Sequence, residues 1–365
     1  MAKRLPKMMR VSLVVVAALG AGVTSIGLTL SPAVQPKGLP AKSAAATAVI
    51  RYLNALTNRT TAKLISGQHD QHNEIIPITP QVHYIYKKTG TWVGIYAANI
   101  TTTNVDVLAN LATYWNNGGL VSVVADPPNP ACELTVCSSR HSLEPYTTDQ
   151  LITPGTPINN QYLSDLDATE VPSFTRLKDA GVVVLFRWMI EMDLGNLSNC
   201  WSWWNCSLDG AHYATLFKQT HDYLVYAKGL NNLVWVLSFN AQQNPSLPAQ
   251  YYPGGPYVDV VGEDIYMDMP SDTPTYNAIA ALGKPFALTE FGPSASVGKA
   301  PPNCNANYDY RKMLAGIKAN FPKAVYFVAW GGCWSMYEQN DAGAMLRDPY
   351  VINRDGLPLF SHGAR

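Results

Sequence analysis

The sequence predicts a single-domain α/β protein of the (β/α)8, or TIM-barrel, class. Eight short apolar runs alternate with helical stretches over about 320 residues, the rhythm of a parallel sheet wound with helices. Each run is apolar on both alternating faces, as a strand covered on its outer side and packed on its inner side must be. No internal repeat or low-complexity domain breaks the series.

The N-terminal segment stands apart. Residues 1–10 carry Lys3, Arg4, Lys7 and Arg10 without an acid, an apolar run fills 11–30, and Ser31-Pro32-Ala33 supplies small residues suited to signal-peptidase cleavage. The run is longer than an ordinary signal core, so a retained membrane anchor is the alternative reading. Either way the remainder is expected outside the cytoplasm, secreted or periplasmic. Residues 34–45 read as a linker of Pro, Ala, Lys and Ser, and 46–365 as the barrel domain.

Strands are expected at 62–68, 91–97, 120–125, 182–187, 233–239, 257–266, 285–290 and 324–330. Helices are expected at 105–117, 161–180, 211–228, 276–282 and 308–320, with a less regular one around 74–88. In a barrel of this kind the chemistry lies on the loops that follow the strands. All six cysteines fall there, after the third, fourth, seventh and eighth strands. In an exported chain they read as disulfides, with local spacing favouring Cys132 with Cys137 and Cys200 with Cys206, which leaves Cys304 for Cys333. A zinc site is disfavoured, because neither close pair has knuckle spacing and no histidine pair accompanies them.

Composition narrows the partners. Removing residues 1–33 takes away four of 26 basic residues and no acid, leaving 22 against 26 acidic ones. Such a surface does not suit nucleic acid. Only 14% of residues are charged, while Tyr and Trp together number 29. Most of those rings must be core; some can line a sugar cleft, where flat apolar faces stack on pyranose rings.

Two glutamates sit at strand exits: Glu191 closes the run from Val182, and Glu290 closes Lys284-Pro285-Phe286-Ala287-Leu288-Thr289. A carboxylate there is costly to desolvate unless it is used. Two of them, three strand–helix units apart, meet the needs of glycoside hydrolysis: an acid for the leaving oxygen and a nucleophile for the sugar. Strand alternation puts Leu185, Arg187, Met189 and Glu191 on one face, Phe286, Leu288 and Glu290 on another, and Asp264 with Tyr266 on a third. Arg187 either keeps a carboxylate charged or caps the barrel mouth. Tyr266 either orients Glu290 or serves another acceptor.

These residues resemble glycoside hydrolase family 26, best known for endo-β-mannanases. The stretches that carry the likeness are Ser66-Gly67-Gln68-His69, Phe186-Arg187-Trp188-Met189-Ile190-Glu191-Met192, Gly229-Leu230-Asn231-Asn232-Leu233-Val234-Trp235-Val236, Tyr251-Tyr252-Pro253-Gly254, Tyr257-Val258-Asp259-Val260-Val261-Gly262, Lys284 through Gly292, and Tyr326-Phe327-Val328-Ala329-Trp330. They run in the family's order from about residue 64 to 335. The resemblance implies Glu191 as acid/base, Glu290 as nucleophile, Tyr266 as its hydrogen-bonding partner and Trp330 as a platform under the sugar being cleaved. Trp201, Trp203 and Trp204 fall where the family places aromatic residues beyond the acid/base; Trp203 or Trp204 then stacks a sugar, or packs the Cys200–Cys206 loop. Family mannanases carry a His just before the acid/base, where this chain has Ile190, and a His before an Asn-Pro after the third strand, where it has Asp126 ahead of Asn129-Pro130. Asp126, Asn129 and His69 are accordingly candidate substrate contacts.

The expected protein is thus a secreted retaining endo-β-glycosidase acting on a β-1,4-linked polysaccharide, mannan first. The alternatives are a barrel that binds polysaccharide without cleaving it, or a related hydrolase of xylan or β-glucan. A Ser esterase is disfavoured by the lack of a Gly-x-Ser-x-Gly elbow. Nothing calls for a cofactor or a metal, since His69 and His72, three apart on a loop, are more often simple polar contacts. A monomer is expected.

Overall fold

A computed structural model of the chain describes residues 41–70, 80–100, 105–135, 141–196, 200–240, 244–271, 274–294 and 307–360. Its centre is a closed barrel of eight parallel strands. The first is interrupted at Ser66 into β1 (Leu64–Ile65) and β2 (Gly67–His69). The others are β3 (Ile95–Asn99), β4 (Leu120–Ala125), β5 (Val184–Trp188), β6 (Leu233–Asn240), β7 (Val260–Tyr266), β8 (Phe286–Gly292) and β9 (Ala324–Ala329). Neighbours pair in sequence from β2 to β8, β8 pairs with β9, and Gln68 of β2 aligns with Ala329 of β9 to close the ring. A short β10 (Val351–Ile352) pairs with β1 outside it. Val, Ile, Leu and Phe in these runs are almost wholly buried, which is why they read as apolar on both faces.

The helices begin and end where the sequence supplies caps. Ser43 accepts the Ala46 amide ahead of Ala44–Leu56, so residues 44 and 45, read as the end of a linker, open a helix instead. The helix expected around 74–88 is Gln81–Thr89, ended by Gly90 at φ 73°; residues 74–79 lie outside the described part. The single helix expected over 161–180 is two, Pro157–Ala168 and Glu170–Asp179. Pro172 explains the break: in a continuous helix its ring would meet the carbonyl of Ala168. The helix expected over 211–228 is Gly210–Asp222 followed by a wider π turn, Tyr223–Ala227.

The Cys200–Cys206 disulfide is present, with Cα atoms 5.2 Å apart. Cys132 and Cys333 are also disulfide-bonded, but Cys137 and Cys304, their expected partners, lie outside the described residues.

Candidate active site

Polar residues at the exits of β4 to β9 meet over the barrel mouth. Arg187, the penultimate residue of β5, is buried at the centre. Its Nε donates to Ser238 Oγ (2.9 Å), one terminal nitrogen lies 2.9 and 2.8 Å from the two oxygens of Asp264, and the other pairs with Glu290 Oε1 at 3.0 Å. Thr289 donates to Asp264 (2.6 Å), and the Tyr266 hydroxyl donates to Glu290 Oε2 (2.6 Å). The ring of Trp334 lies edge-on to Tyr266, and Gly292 leaves it that room. A Cβ there would come within 2.4 Å of Trp334 and 2.6 Å of Tyr266.

Neither glutamate arrives by simple alternation. β5 ends at Trp188, and Met189 and Glu191 take left-handed backbone, φ 46° and 52°. The shared face expected for Leu185, Arg187, Met189 and Glu191 therefore stops at the strand end, and a strained bend carries Glu191 into the cleft. In β8, Glu263 aligns with Leu288 but Asp264 aligns with Glu290, so Thr289 is an extra residue and the expected Phe286–Leu288–Glu290 face is broken there. The bulge turns both Thr289 and Glu290 to the polar centre, a use of bulges common beside active sites.

Glu191 is held by neutral donors: Asn240 Nδ2 to Oε1 (2.8 Å) and Trp201 Nε1 to Oε2 (2.9 Å). One oxygen of Glu191, of Asp264 and of Glu290 all lie within 4.8 Å of one another. The positive charge that three carboxylates demand comes from Arg187, which pairs with two of them.

Burial pushes the Glu290 carboxyl well above the usual range, aided by the charges of Asp264 and Glu191 and opposed by Arg187 and Tyr266. Burial also lifts Asp264 to about 7 against the pull of Arg187. Burial alone would lower the Arg187 pKa, but Asp264 and Glu290 outweigh it and hold the guanidinium above its ordinary value. One cation does not neutralise three carboxylates, so the cluster binds a proton more readily than isolated carboxyls do.

A cleft of about 340 Å³ opens on this cluster, lined by Asn99, Asp126, Ile190, Glu191, Trp201, Tyr266, Glu290, Trp330 and Trp334. Trp330 forms a wall and stacks on His69, with ring centres 4.0 Å apart and planes 13° from parallel. His69 is fully buried, so it backs the Trp330 ring instead of touching a ligand directly, a correction to its expected contact. Asp126 lines the cleft as expected, with Asn99 Nδ2 at 3.3 Å, and burial lifts it to about 7.

Three further expectations need correction. Trp203 and Trp204 are each 2% exposed and donate to the carbonyls of Pro127 and Ile190, so both pack beneath the loop and offer no open face to the cleft. Trp201, 40% exposed, is the indole that borders it. Asn129 caps the helix Pro130–Leu134 and borders a neighbouring cavity of about 580 Å³ instead of the cleft. Asn240 and Trp334 were not foreseen. Asn240 had a legible signal, because it ends an apolar strand with a polar side chain just as the two glutamates do.

Residues 40–356 match the model of glycosyl hydrolase family 26. A mannan endo-1,4-beta-mannosidase of Bacillus subtilis (strain 168) is 30% identical over 326 residues, 84% of each chain. Another from Caldalkalibacillus mannanilyticus is 32% identical over 67% of this chain and 46% of its own length. Among solved structures, the Bacillus subtilis mannanase man26 superposes with a TM-score of 0.72 at 27% identity, covering 86% of this chain and 93% of that one.

Proposed function

This chain belongs to glycosyl hydrolase family 26, and we propose that it is an exported retaining endo-β-mannanase in which Glu191 is the acid/base and Glu290 the nucleophile. The family makes it a glycosyl hydrolase, and its relatives are named for β-mannan. The basic and apolar character of residues 1–33 supports export, and no helix among the described residues is long and apolar enough to cross a membrane.

The observation that carries the mechanism is the carboxylate separation. Retaining enzymes hold the two groups about 5–5.5 Å apart, whereas inverting ones leave roughly 6.5–9.5 Å for a water. The nearest oxygens of Glu191 and Glu290 lie within 4.8 Å, which supports direct attack. Glu290, fixed by Arg187 and Tyr266, attacks the anomeric carbon as Glu191 gives its proton to the departing glycosidic oxygen. Water then attacks the glycosyl-enzyme ester, losing its proton to Glu191, and Glu290 leaves as a carboxylate. Trp330 is the platform for the sugar ring, and Asp126 faces its hydroxyls.

Incubation with β-mannan, xylan and β-glucan, with the product followed by proton NMR, tests the proposal. Mannan is cleaved and the β-anomer appears first. Initial α-anomer, or cleavage of xylan or glucan alone, would overturn it.

A further inference from the structure

We infer that Asn240 and Trp201 are positioning residues for Glu191, each holding one oxygen of its carboxylate; the inference rests on Glu191 being the acid/base. Glu191 lies past the end of β5 on left-handed backbone; its amide donates to the Ser238 carbonyl (3.2 Å), a bond that fixes the main chain and leaves the side-chain rotamer open. Leaving a Glu side chain to its own rotamers forfeits the alignment that proton transfer needs, for the donor must lie within hydrogen-bond reach of the glycosidic oxygen. The two donors supply that alignment, at 2.8 Å and 2.9 Å.

Both are themselves anchored. The Asn240 backbone amide donates to Asp193 Oδ1 (2.8 Å), fastening the end of β6 to the turn Met192–Asn196 that follows Glu191. The Trp201 amide donates to Asn205 Oδ1 (3.1 Å), inside the ring closed by Cys200–Cys206. The indole ring rests edge-on against buried Trp204, whose own N–H holds the carbonyl of Ile190, the residue before Glu191. A strand end and a disulfide-closed loop thus converge on one carboxylate.

Trp201→Phe and Asn240→Ala, compared with wild type and Glu191→Ala, test this on β-manno-oligosaccharides and on 2,4-dinitrophenyl β-mannobioside. The dinitrophenolate leaves without a proton, so kcat/KM on it does not depend on acid catalysis. On the oligosaccharide we expect kcat/KM to fall about 10- to 100-fold, a fraction of the 10²–10⁴ range of general acid catalysis. On the aryl glycoside the fall should stay below about threefold. Equal losses on both substrates would mean a merely structural role, and no loss on either would mean no role; both overturn the inference. Glu191→Ala keeps the two questions apart. If it too loses equally on both, Glu191 is not the acid/base and the functional reading fails instead. Where Trp201→Phe does not fold, Asn240→Ala alone gives the same pair of readings.

Discussion

The two glutamates reach the same cleft by opposite means. Glu290 sits within a strand, re-aimed by a bulge, and is gripped by an ion pair and a phenol at the barrel centre. Glu191 sits beyond a strand, on a strained bend, and is steadied by an amide from the end of β6 and an indole from the Cys200–Cys206 loop. The difference follows from their proposed tasks. A nucleophile must begin each cycle as an anion held in line with the sugar, and Arg187 and Tyr266 favour that form against the burial that raises its pKa. An acid/base must give up and regain a proton each turn, which suits neutral partners at a half-open rim.

Breaking the nucleophile end should have the largest effect. Glu290→Ala is expected to lower kcat by at least about 10⁴-fold on every substrate, since loss of a nucleophile is not relieved by a better leaving group. Residual reducing-end release near wild-type rate would remove Glu290 from the role. Glu191→Ala should lower kcat/KM on mannan by about 10²–10⁴-fold, and kinetics that showed no loss would leave the comparison without its second member.

The ionic end should also matter more to the fold. Arg187→Met leaves Asp264 and Glu290 buried beside each other without their cation, a loss of about 3–5 kcal/mol in chemical denaturation. The same measurement on Trp201→Phe should show a much smaller change. Gly292→Ala sharpens the contrast within the nucleophile side. The added carbon crowds Trp334 and Tyr266, and overpacking of this kind costs about 1–3 kcal/mol. We expect a lower kcat with little change on the Glu191 side, read as an unaltered response to leaving group.

The smallest effect is on pH dependence of stability. Burial raises Asp70 to about 6, Asp126, Glu170 and Asp264 to about 7, and Asp193 to about 8. A carboxyl whose folded pKa is raised binds its proton more tightly in the native state. Its contribution is whole below about pH 4 and is lost as pH climbs through 6 to 8. Tm should therefore be higher at pH 5 than at pH 8.5, and Asp193→Asn should flatten that slope. A Tm that rose with pH would contradict these burial shifts.

The barrel was legible because its signal is local: a run apolar on both faces is a buried parallel strand wherever it occurs. The two glutamates were legible for the same reason, since an acid closing an apolar run is conspicuous; the pairing of Tyr266 with Glu290 came from the family resemblance. The bend at Met189 and the bulge at Thr289 were not. Nothing in the run Arg187-Trp188-Met189-Ile190-Glu191 marks where the ladder stops, and alternation extrapolated past its end gives the wrong geometry for the right residue. The aromatic assignment failed differently. Trp201, Trp203 and Trp204 are equal in sequence, and only the Cys200–Cys206 disulfide loop with its capping side chains decides which indole is left uncovered.

The most direct test of the Glu191–Glu290 pair is to trap the covalent intermediate with a 2-deoxy-2-fluoro-β-mannosyl fluoride and identify the modified peptide by mass spectrometry. One adduct is expected, on the peptide containing Glu290, formed at a rate that Glu290→Ala abolishes. An adduct on any other residue, or none from protein that hydrolyses mannan, would contradict it.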